Sequence, residues 1–330
     1  MLRTLGVARE RWPLSRPFRI SRGVKTEAEV VVVSLSADGA AGRGESVPYA
    51  RYGETPEGVV EQIEGVRRAL ETGADRSLIG ALLPPGAARN AVDCALWDLE
   101  AKLSGVPVSQ ALGLGRPGRL VTAVTVSLDN PDRMAEAAAA VAHAPLIKVK
   151  VDARDPADQI RAVAGAAPGA RLIVDPNESW SFELLDRLQP LLADLPVALV
   201  EQPLPADEEA RLEGYRPAAP ICADESAHTS ADLERLRTRF QAVNVKLDKT
   251  GGLTEAVAMA RQARAAGFKV MVGCMICTSL SIAPAALAAA EADFADLDGP
   301  WWLTQDREGG LSFADGFAAT PSSGFWGDGA

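Results

Sequence analysis

The feature that most constrains this chain is a unit that recurs eight times from Leu120 onward. Each unit has a short apolar run, a polar residue near the end of that run, and an alanine-rich stretch of helical character. The runs read LVTAVTVS, LIKVKVD, RLIVDPN, VALVEQP, PICADES, AVNVKLD, KVMVGCM and ADFADLD. Their polar residues recur every 22 to 28 positions, which fits one strand and one helix per unit. Right-handed units of this kind close into a (β/α)8-type barrel.

A doubly wound open sheet is the structural alternative, because it too alternates strands with helices. The number of runs, and the charged or polar residue at nearly every carboxyl end, favour the barrel. In a barrel those ends share one face, and that face carries the active site. The sequence therefore predicts an α/β fold with its polar strand ends gathered at a single site.

The first ~110 residues have a different, α+β pattern. Glu29 to Leu35 is rich in β-branched residues, Glu57 to Leu70 has helical periodicity, and Arg89 to Ser104 forms an amphipathic helix with Gly105 as its stop. The next segment, GLGRPG at 113–118, matches a dinucleotide-binding pattern in letters only. It follows a helix and precedes a strand, the reverse of the required order, so it is interpreted as a linker.

Composition excludes several partners and suggests a cellular location. The net charge is −10 without a long basic run, which argues against nucleic acid and against a basic membrane-binding helix. Residues 270–290 carry no charge, but they divide into a buried strand and an alanine-rich helix rather than a membrane span. The amino-terminal residues lack the apolar core of a signal peptide, and four cysteines are too few for a disulfide framework. A cytoplasmic protein is expected.

Carboxylates end three consecutive runs, at Asp175, Glu201 and Asp224. Adjacent strands lie about 4.8 Å apart, so three anions at these positions would repel one another without a cation. Oxygen ligands without histidine or cysteine nearby favour Mg²⁺ or a similar ion. A structural set of helix caps and salt bridges is the alternative.

Lysines flank these carboxylates on both sides of the predicted barrel. Lys148 and Lys150 alternate along the second run, and Lys246 ends the sixth, which lies opposite the second in a ring of eight. A neighbouring ammonium and a divalent cation would lower a lysine pKa toward the range of a useful base. The alternative is an ion cluster in which the lysines only neutralise the carboxylates.

Several motifs resemble the enolase superfamily, in its muconate-lactonizing-like subgroup. They are the K-x-K of Lys148 and Lys150, VDPNES, VEQPLP, CADES, NVKLDKTGG and AVDCALWDLEAK. The resemblance implies the chemistry of that superfamily, a lysine base with Mg²⁺ stabilising an ene-diolate. The resemblance covers essentially the whole chain. It implies a capping domain at residues 1–113, completed by 309–330, over a (β/α)7β barrel at 119–308.

The eighth run narrows the resemblance to one branch. It ends in Asp296-x-Asp298, and in dipeptide epimerases an acidic pair here binds the free α-ammonium of the substrate. The segments FRISRG, PYARYGE, CADESAHT and GCMICTS resemble the L-Ala-D/L-Glu epimerases of bacterial murein-peptide recycling. In that branch a cation on the first capping loop meets the glutamate side chain. Arg22 is the candidate, with Arg19 and Arg51 as rivals, and Thr125 is a further substrate contact.

The resemblance implies a metal-dependent isomerase. One Mg²⁺ per subunit, with Mn²⁺ as an alternative, would sit on the three carboxylates and stabilise the ene-diolate. Lys150 and Lys246 would exchange the α-proton of the C-terminal residue on opposite faces, Lys148 would support the carboxylate, and Asn177 and Asp248 would orient ligands from behind. The partner is a small dipeptide; homo-oligomers remain open. Alternatives are an N-acylamino acid racemase or cycloisomerase on this scaffold, or a non-catalytic peptide-binding barrel.

Overall fold

The computed structural model describes residues 2–115 and 118–329 of the chain. It begins with an N-terminal domain of one antiparallel sheet, in the order β1-β2-β3, and a layer of helices. The strands are β1 (Thr4–Ile20), β2 (Gly23–Ala37) and β3 (Ala40–Ser46), and the helices are α1 (Pro56–Gly65), α2 (Arg67–Glu71), α3 (Arg76–Leu82), α4 (Ala87–Ser104) and α5 (Val108–Ala111). The predicted α+β character of this region is confirmed.

Helix α4 is the main support of that sheet. Its apolar face packs with Val31, Val33 and Leu35 of β2 in a separate core cluster. Glycines of β3 let the strand approach the helix closely, since a Cβ at Gly44 would lie 2.1 Å from the Ala91 carbonyl oxygen. The predicted stop is confirmed: Gly105 follows the helix with φ of +69°, a left-handed conformation that glycine adopts without steric cost.

The repeated units form a ring of eight parallel strands in sequence order. Its strands are β5 (Val124–Val126), β6 (Leu146–Lys150), β7 (Arg171–Asp175), β8 (Val197–Glu201), β9 (Ile221–Ala223), β10 (Ala242–Val245), β11 (Lys269–Gly273) and β12 (Phe294–Asp296). The helices that follow them are α6 (Pro131–Ala140), α7 (Pro156–Ala166), α8 (Phe182–Asp194), α9 (Leu233–Leu236), α10 (Leu247–Thr250), α11 (Leu253–Ala265) and α12 (Ser279–Ala289).

The ring is a nearly closed barrel rather than an open sheet. The strand order never reverses, as it would in a doubly wound fold. The backbone amide of Ala123, just before β5, donates to the Ala295 carbonyl in β12 across the seam, over 2.8 Å. The barrel prediction is therefore confirmed.

The uncharged segment at 270–290 divides as predicted into a buried strand, β11, and a helix, α12. Over the described residues, no helix is both long enough and apolar enough to cross a membrane.

The first predicted run is divided between two sheets. Its first part forms β4 (Arg119–Val121), which pairs with β14 (Phe317–Ala319), itself paired with β13 (Ser312–Ala314). Only its second part, β5, enters the barrel. The expectation of one continuous strand is wrong here, because the partner of β4 comes from a segment far downstream.

The chain that follows the barrel returns to the N-terminal domain. Trp326 donates its indole N–H to the Arg43 carbonyl over 2.9 Å, and the Gly327 amide donates to the buried Asp98 carboxylate over 2.7 Å. These contacts accord with a capping domain assembled from both sides of the barrel sequence. The boundaries 1–113, 119–308 and 309–330 stay predictions, and Arg116 and Pro117 of the predicted linker lie outside the described residues.

Candidate active site

The barrel interior has two layers that follow from the two-residue period of a strand. The lower layer is apolar and contains one residue from each strand or its first neighbour: Ala123, Leu146, Ile173, Leu199, Cys222, Ala242, Met271 and Phe294. Two positions further along come the residues of the upper layer: Thr125, Lys148, Asp175, Glu201, Asp224, Asn244, Gly273 and Asp296. The charged groups thus lie together at the carboxyl end of the barrel, directly above the apolar layer.

Lys148 lies at the centre of this upper layer. Its Nζ atom is 2.6 Å from Glu201 Oε2, 2.7 Å from Asp296 Oδ2 and 3.1 Å from Asp175 Oδ2, and its side chain is buried. Burial lowers the pKa of Lys148, but the surrounding carboxylates outweigh it and hold the pKa well above its ordinary value. The surrounding anions therefore favour the charged form of Lys148.

The other two lysines each pair with one of the predicted metal ligands. Lys150 Nζ lies 2.5 Å from Asp175 Oδ2, and Lys246 Nζ lies 2.7 Å from Asp224 Oδ2. Their strands, β6 and β10, are four positions apart in the ring, so the two ammonium groups face the centre from opposite sides. Burial lowers the pKa of Lys246, but Asp224 and Glu201 more than reverse this and raise it. Without a metal ion, the neighbouring carboxylates thus dominate the pKa of Lys148 and of Lys246; the expected lowering of a lysine pKa by a neighbouring ammonium and a divalent cation stays a prediction.

The three carboxylates differ in how well they are compensated. Burial opposes ionisation in all of them, but lysines hold the pKa of Asp175 and Asp224 below the ordinary value. For Glu201, burial and the charge of Asp175 raise the pKa to about 8. Glu201 Oε2 has no hydrogen-bond partner among the described residues, although the Lys148 ammonium is within ion-pair distance.

The donor chemistry of this set fits a hard divalent cation: three buried carboxylates and one buried oxygen without a hydrogen bond. The spacing is less simple. Within residues 2–115 and 118–329, no three His, Cys, Asp or Glu side chains stand close enough together to hold an ion, and the Lys148 ammonium lies between Asp175 and Glu201. The metal assignment of Asp175, Glu201 and Asp224 stays a prediction.

Residues that sequence reasoning missed hold the carboxylates in place. Asn244 donates to Glu201 Oε1 over 2.8 Å, and the fully buried Lys249 donates to Asp224 Oδ1 over 2.6 Å. Gln202 Oε1 accepts the Asp224 amide over 2.9 Å. Asn244 lies two positions before Lys246 in the same run, so the two-residue period of a strand could have placed it on the inner face. No local pattern marks Lys249, because its side chain returns to the barrel from helix α10.

The two residues predicted to orient ligands from behind lie in different places. The backbone N–H of Asn177 donates to Asp175 Oδ1 over 2.9 Å, and its side-chain Oδ1 accepts from Lys150 Nζ over 3.2 Å. Asp248 instead points toward the N-terminal domain: its Oδ1 accepts from the Val47 amide over 3.0 Å and from Asn90 Nδ2 over 2.7 Å. Its contacts therefore support the domain interface rather than the carboxylates.

A cavity of about 500 Å³ lies above the charged layer, within the size range of small-molecule sites. The barrel contributes the three candidate lysines to its wall, together with Asp224, Asp296 and Asp298; Asp175 and Glu201 are not among the lining residues. The N-terminal domain contributes the tip of the β1–β2 hairpin, from Phe18 to Lys25, and the turn at 49–51. The predicted substrate-binding residues Arg22, Thr125, Asp296 and Asp298 all line this cavity.

Asp296 and Asp298, the acidic pair of the eighth run, differ in their contacts. Asp296 Oδ2 pairs with Lys148, while its Oδ1 is buried without a hydrogen bond among the described residues. Asp298 Oδ2 accepts from the Thr125 amide over 2.8 Å and from the Trp302 indole over 3.3 Å. Burial and the charge of Asp296 raise the pKa of Asp298 to about 6. Asp298 thus has the weaker cationic compensation of the two.

The cationic side chains of the capping loops also differ in their partners. Arg22 donates to Glu178 over 3.0 Å and to Glu225 over 2.7 Å, and Arg51 binds Glu178 through two nitrogens, each at 2.8 Å. Arg19 lies 3.7 Å from Asp129. Lys25, which no sequence motif marked, lines the cavity with its Nζ 5.1 Å from the Tyr49 ring centre. Desolvation and the nearby Arg22 lower the pKa of Lys25.

Comparison with known proteins gives consistent matches along the chain. Residues 2–113 match the family described as "Mandelate racemase / muconate lactonizing enzyme, N-terminal domain", and residues 132–325 match "Enolase C-terminal domain-like". An L-Ala-D/L-Glu epimerase of Escherichia coli (strain K12) is 49% identical over 96% of this chain and 99% of its own length. An N-acetyl-D-glutamate racemase of a Pseudoalteromonas species is 44% identical over 90% of this chain and 95% of its own.

Solved structures share both the fold and much of the sequence. An enolase family member from Agrobacterium tumefaciens, with homology to dipeptide epimerases and with bound sodium and L-Ala-L-Glu, gives a TM-score of 0.96 at 47% identity, covering 98% of this chain and 100% of that one. A dipeptide epimerase from Enterococcus faecalis V583, in complex with Mg and the dipeptide L-Leu-L-Tyr, gives 0.91 at 27% identity, with 99% of both chains covered.

Proposed function

The chain belongs to the mandelate racemase / muconate lactonizing enzyme family, and we propose that it is an L-Ala-D/L-Glu epimerase. In this proposal it inverts the α-carbon of the C-terminal residue of a dipeptide. Such a protein is an isomerase acting on amino acid derivatives, as its named relatives are. The proposal includes a role in murein-peptide recycling. A cytoplasmic location and a homo-oligomeric state stay predictions.

The observation that carries the proposal is the placement of the buried Lys150 and Lys246 side chains on opposite sides of one cavity. A substrate between them can lose its α-proton to one lysine, which gives a planar ene-diolate, and this intermediate can then gain a proton from the other lysine. Because the two lysines face opposite sides of the carbon, that exchange inverts its configuration. One lysine must be neutral before it accepts the proton, and the other must be protonated before it donates.

Removal of the α-proton converts the C-terminal carboxylate into an ene-diolate with two negative charges. Lys148 supplies a fixed positive charge beside that position, consistent with its burial among carboxylates. When held by Asp175, Glu201 and Asp224, Mg²⁺ would supply further positive charge for the same dianion. Asn244 and Lys249 keep Glu201 and Asp224 in a fixed orientation.

The cavity wall has charged side chains that complement the ammonium and the side-chain carboxylate of the dipeptide. We assign the free ammonium to Asp298, with Asp296 nearby, since an anionic group in a desolvated site is the fitting partner for a cation. For the glutamate side-chain carboxylate, Arg22 remains the candidate from the sequence. Lys25 is added as a second candidate, because its ammonium lines the cavity while the donors of Arg22 already bind two protein carboxylates.

N-acetylglutamate racemisation is the second candidate function. The Pseudoalteromonas relative is named an N-acetyl-D-glutamate racemase. N-acetylglutamate has the same two carboxylates as L-Ala-L-Glu but no ammonium. Asp298, with its pKa raised to about 6, is the residue that separates the two substrates. An ionised Asp298 favours a free ammonium over an acyl group.

Incubation in D₂O with Mg²⁺ tests both functions. We expect α-deuteration of the C-terminal residue of L-Ala-L-Glu, slower exchange with L-Ala-L-Gln and with N-acetyl-L-glutamate, and loss of exchange after treatment with a chelator. Faster exchange of N-acetyl-L-glutamate would favour the second candidate. If no dipeptide or N-acyl amino acid in a broad panel shows metal-dependent exchange, the protein is better described as a non-catalytic peptide-binding barrel.

A further inference from the structure

Glu178 lies at the point where the barrel meets both capping loops. It follows β7 closely, three residues after Asp175, and its side chain is only 8% exposed. Its carboxylate accepts from Arg22 Nη1 over 3.0 Å, from Arg51 Nε and Nη2 over 2.8 Å each, and from the Ala206 amide over 3.0 Å. One barrel carboxylate thus receives four hydrogen bonds, three of them from arginines of the N-terminal domain.

The two arginines belong to separate loops. Arg22 lies at the tip of the β1–β2 hairpin, and Arg51 lies in the short turn at 50–52. Both loops line the cavity. The hairpin tip has additional contacts, since Arg22 also binds Glu225 and the Tyr49 hydroxyl, whereas the hydrogen bonds of the Arg51 side chain go to Glu178.

The backbone at Glu178 has an uncommon conformation. Asn177 and Glu178 are consecutive residues with positive φ, +48° and +68°, in a region that residues other than glycine rarely occupy. The Glu178 amide donates to the Gln202 carbonyl over 2.9 Å, which ties this segment to the loop after β8. Strained residues of this kind persist where the surrounding structure fixes them, and they concentrate at ligand sites.

We propose that Glu178 is a positioning residue that holds the hairpin tip and the 50–52 turn together over the substrate. It acts through Arg22 and Arg51, and it touches no reacting atom. With Glu225 it balances the charges of Arg22 and Arg51 and holds both side chains at the rim of the cavity. A closed rim limits the exchange of water and ligand with the cavity.

The kinetic test compares Glu178→Gln, Arg51→Gln and the double variant; it rests on the proposed function. We expect each single variant to raise KM for L-Ala-L-Glu about tenfold, with kcat within about threefold of the wild type, because the lysines remain in place. The double variant should have nearly the same KM as Glu178→Gln alone, since that substitution already removes the link to Arg51. The matched control is Glu183→Gln, which removes an arginine-paired carboxylate on α8, away from the cavity.

A second measurement needs no substrate, so it separates this inference from the proposed function. Arg22 and Lys25 are trypsin sites in the hairpin tip. We expect trypsin to cleave there several-fold faster in Glu178→Gln and in Arg51→Gln than in the wild type or in Glu183→Gln, at unchanged Tm. Equal cleavage rates in all four proteins overturn the proposal, as do independent, multiplicative KM effects in the double variant. If the wild type acts on no dipeptide yet the cleavage rates differ as expected, the proposed function fails and this inference stands.

Discussion

At the scale of single residues, the site is a set of charges whose compensation is uneven. Lys148 has three carboxylate partners, while Asp298 accepts hydrogen bonds from the neutral N–H groups of Thr125 and Trp302. These differences suggest different roles. A charged group that already has partners of opposite charge keeps its charge and position, whereas a group without such a partner can still gain one from a bound ligand. The proposed assignments follow this difference.

The first prediction concerns the two opposed lysines. Lys150→Ala and Lys246→Ala should each lower kcat/KM for epimerisation by about 10³-fold or more. Each variant should still exchange the α-hydrogen of one stereoisomer with D₂O, because the remaining lysine faces one side of the carbon. Proton NMR with L-Ala-L-Glu and L-Ala-D-Glu measures this. The two variants should prefer opposite stereoisomers; the same preference in both would contradict the two-base arrangement. Lys269→Ala, at an exposed position at the start of β11, is the control.

The second prediction concerns the acidic pair. Asp298→Asn should raise KM for L-Ala-L-Glu by about 10- to 100-fold, the value of one charge-assisted hydrogen bond. Any turnover of N-acetylglutamate should be much less affected, because that substrate has no ammonium. Asp296→Asn should lower kcat more than Asp298→Asn does, since Asp296 pairs with Lys148. Steady-state kinetics on both substrates decide the matter, and equal losses on both substrates in Asp298→Asn would remove its assignment to the ammonium.

At the scale of helices and strands, the period-two pattern carried most of the information. It placed Lys148, Lys150 and the strand-end carboxylates on the inner face, and the structure has them there. It could not divide the first run into β4 and β5, because the partners of β4 lie far away in sequence. It also could not reveal Glu178 or Lys249, whose long side chains reach partners in other elements. Contacts between distant elements depend on tertiary geometry, which a local pattern does not encode.

The third prediction concerns the contact of β3 with α4. Gly44→Ala should lower the free energy of unfolding by about 1–3 kcal/mol, because its Cβ would lie 2.1 Å from the Ala91 carbonyl and 2.7 Å from the Ala95 amide. Gly65→Ala is the control: it sits in α1 with open space around its Cβ, and it should be neutral or stabilising by about 0.5–1 kcal/mol. Urea unfolding measures both. A Gly44→Ala protein as stable as the wild type would show that the sheet can shift away from the helix.

At the scale of the whole molecule, the N-terminal domain and the barrel meet through buried polar groups. Asp248 accepts from Val47 and Asn90, and the buried Glu45 binds Thr278 and Arg307 beside the loop after β11. Buried polar contacts of this kind fix a unique arrangement because leaving them unpaired is costly. They also link the stability of the interface to pH.

The fourth prediction uses that link. Burial raises the pKa of Asp248 to about 7, against about 3.9 in an unfolded chain. Between those values the folded state holds a proton that the unfolded state releases, so the contribution of Asp248 to stability falls as pH rises from about 4 to about 7, by up to ~1.4 kcal/mol per pH unit. Asp248→Asn keeps an oxygen acceptor but cannot ionise.

The measurement is urea unfolding of the wild type and of Asp248→Asn at several pH values. Other groups titrate in both proteins, so the difference between the two carries the signal. That difference should shift in favour of the variant as pH rises through this range and should level off above pH 7. A difference that is constant with pH would mean that Asp248 is ionised in the folded protein across the range.

The return of the chain to its first domain has a consequence for biosynthesis. The hydrogen bonds from Trp326 to Arg43 and from Gly327 to Asp98 join residues 283 and 229 positions apart. On the ribosome, the sheet and helix α4 emerge early, but these partners emerge only after the whole barrel has been translated. During that interval Asp98, buried in the folded protein, lacks one of its donors. The N-terminal domain is therefore made first and completed last, and its final assembly belongs to the post-translational stage of folding.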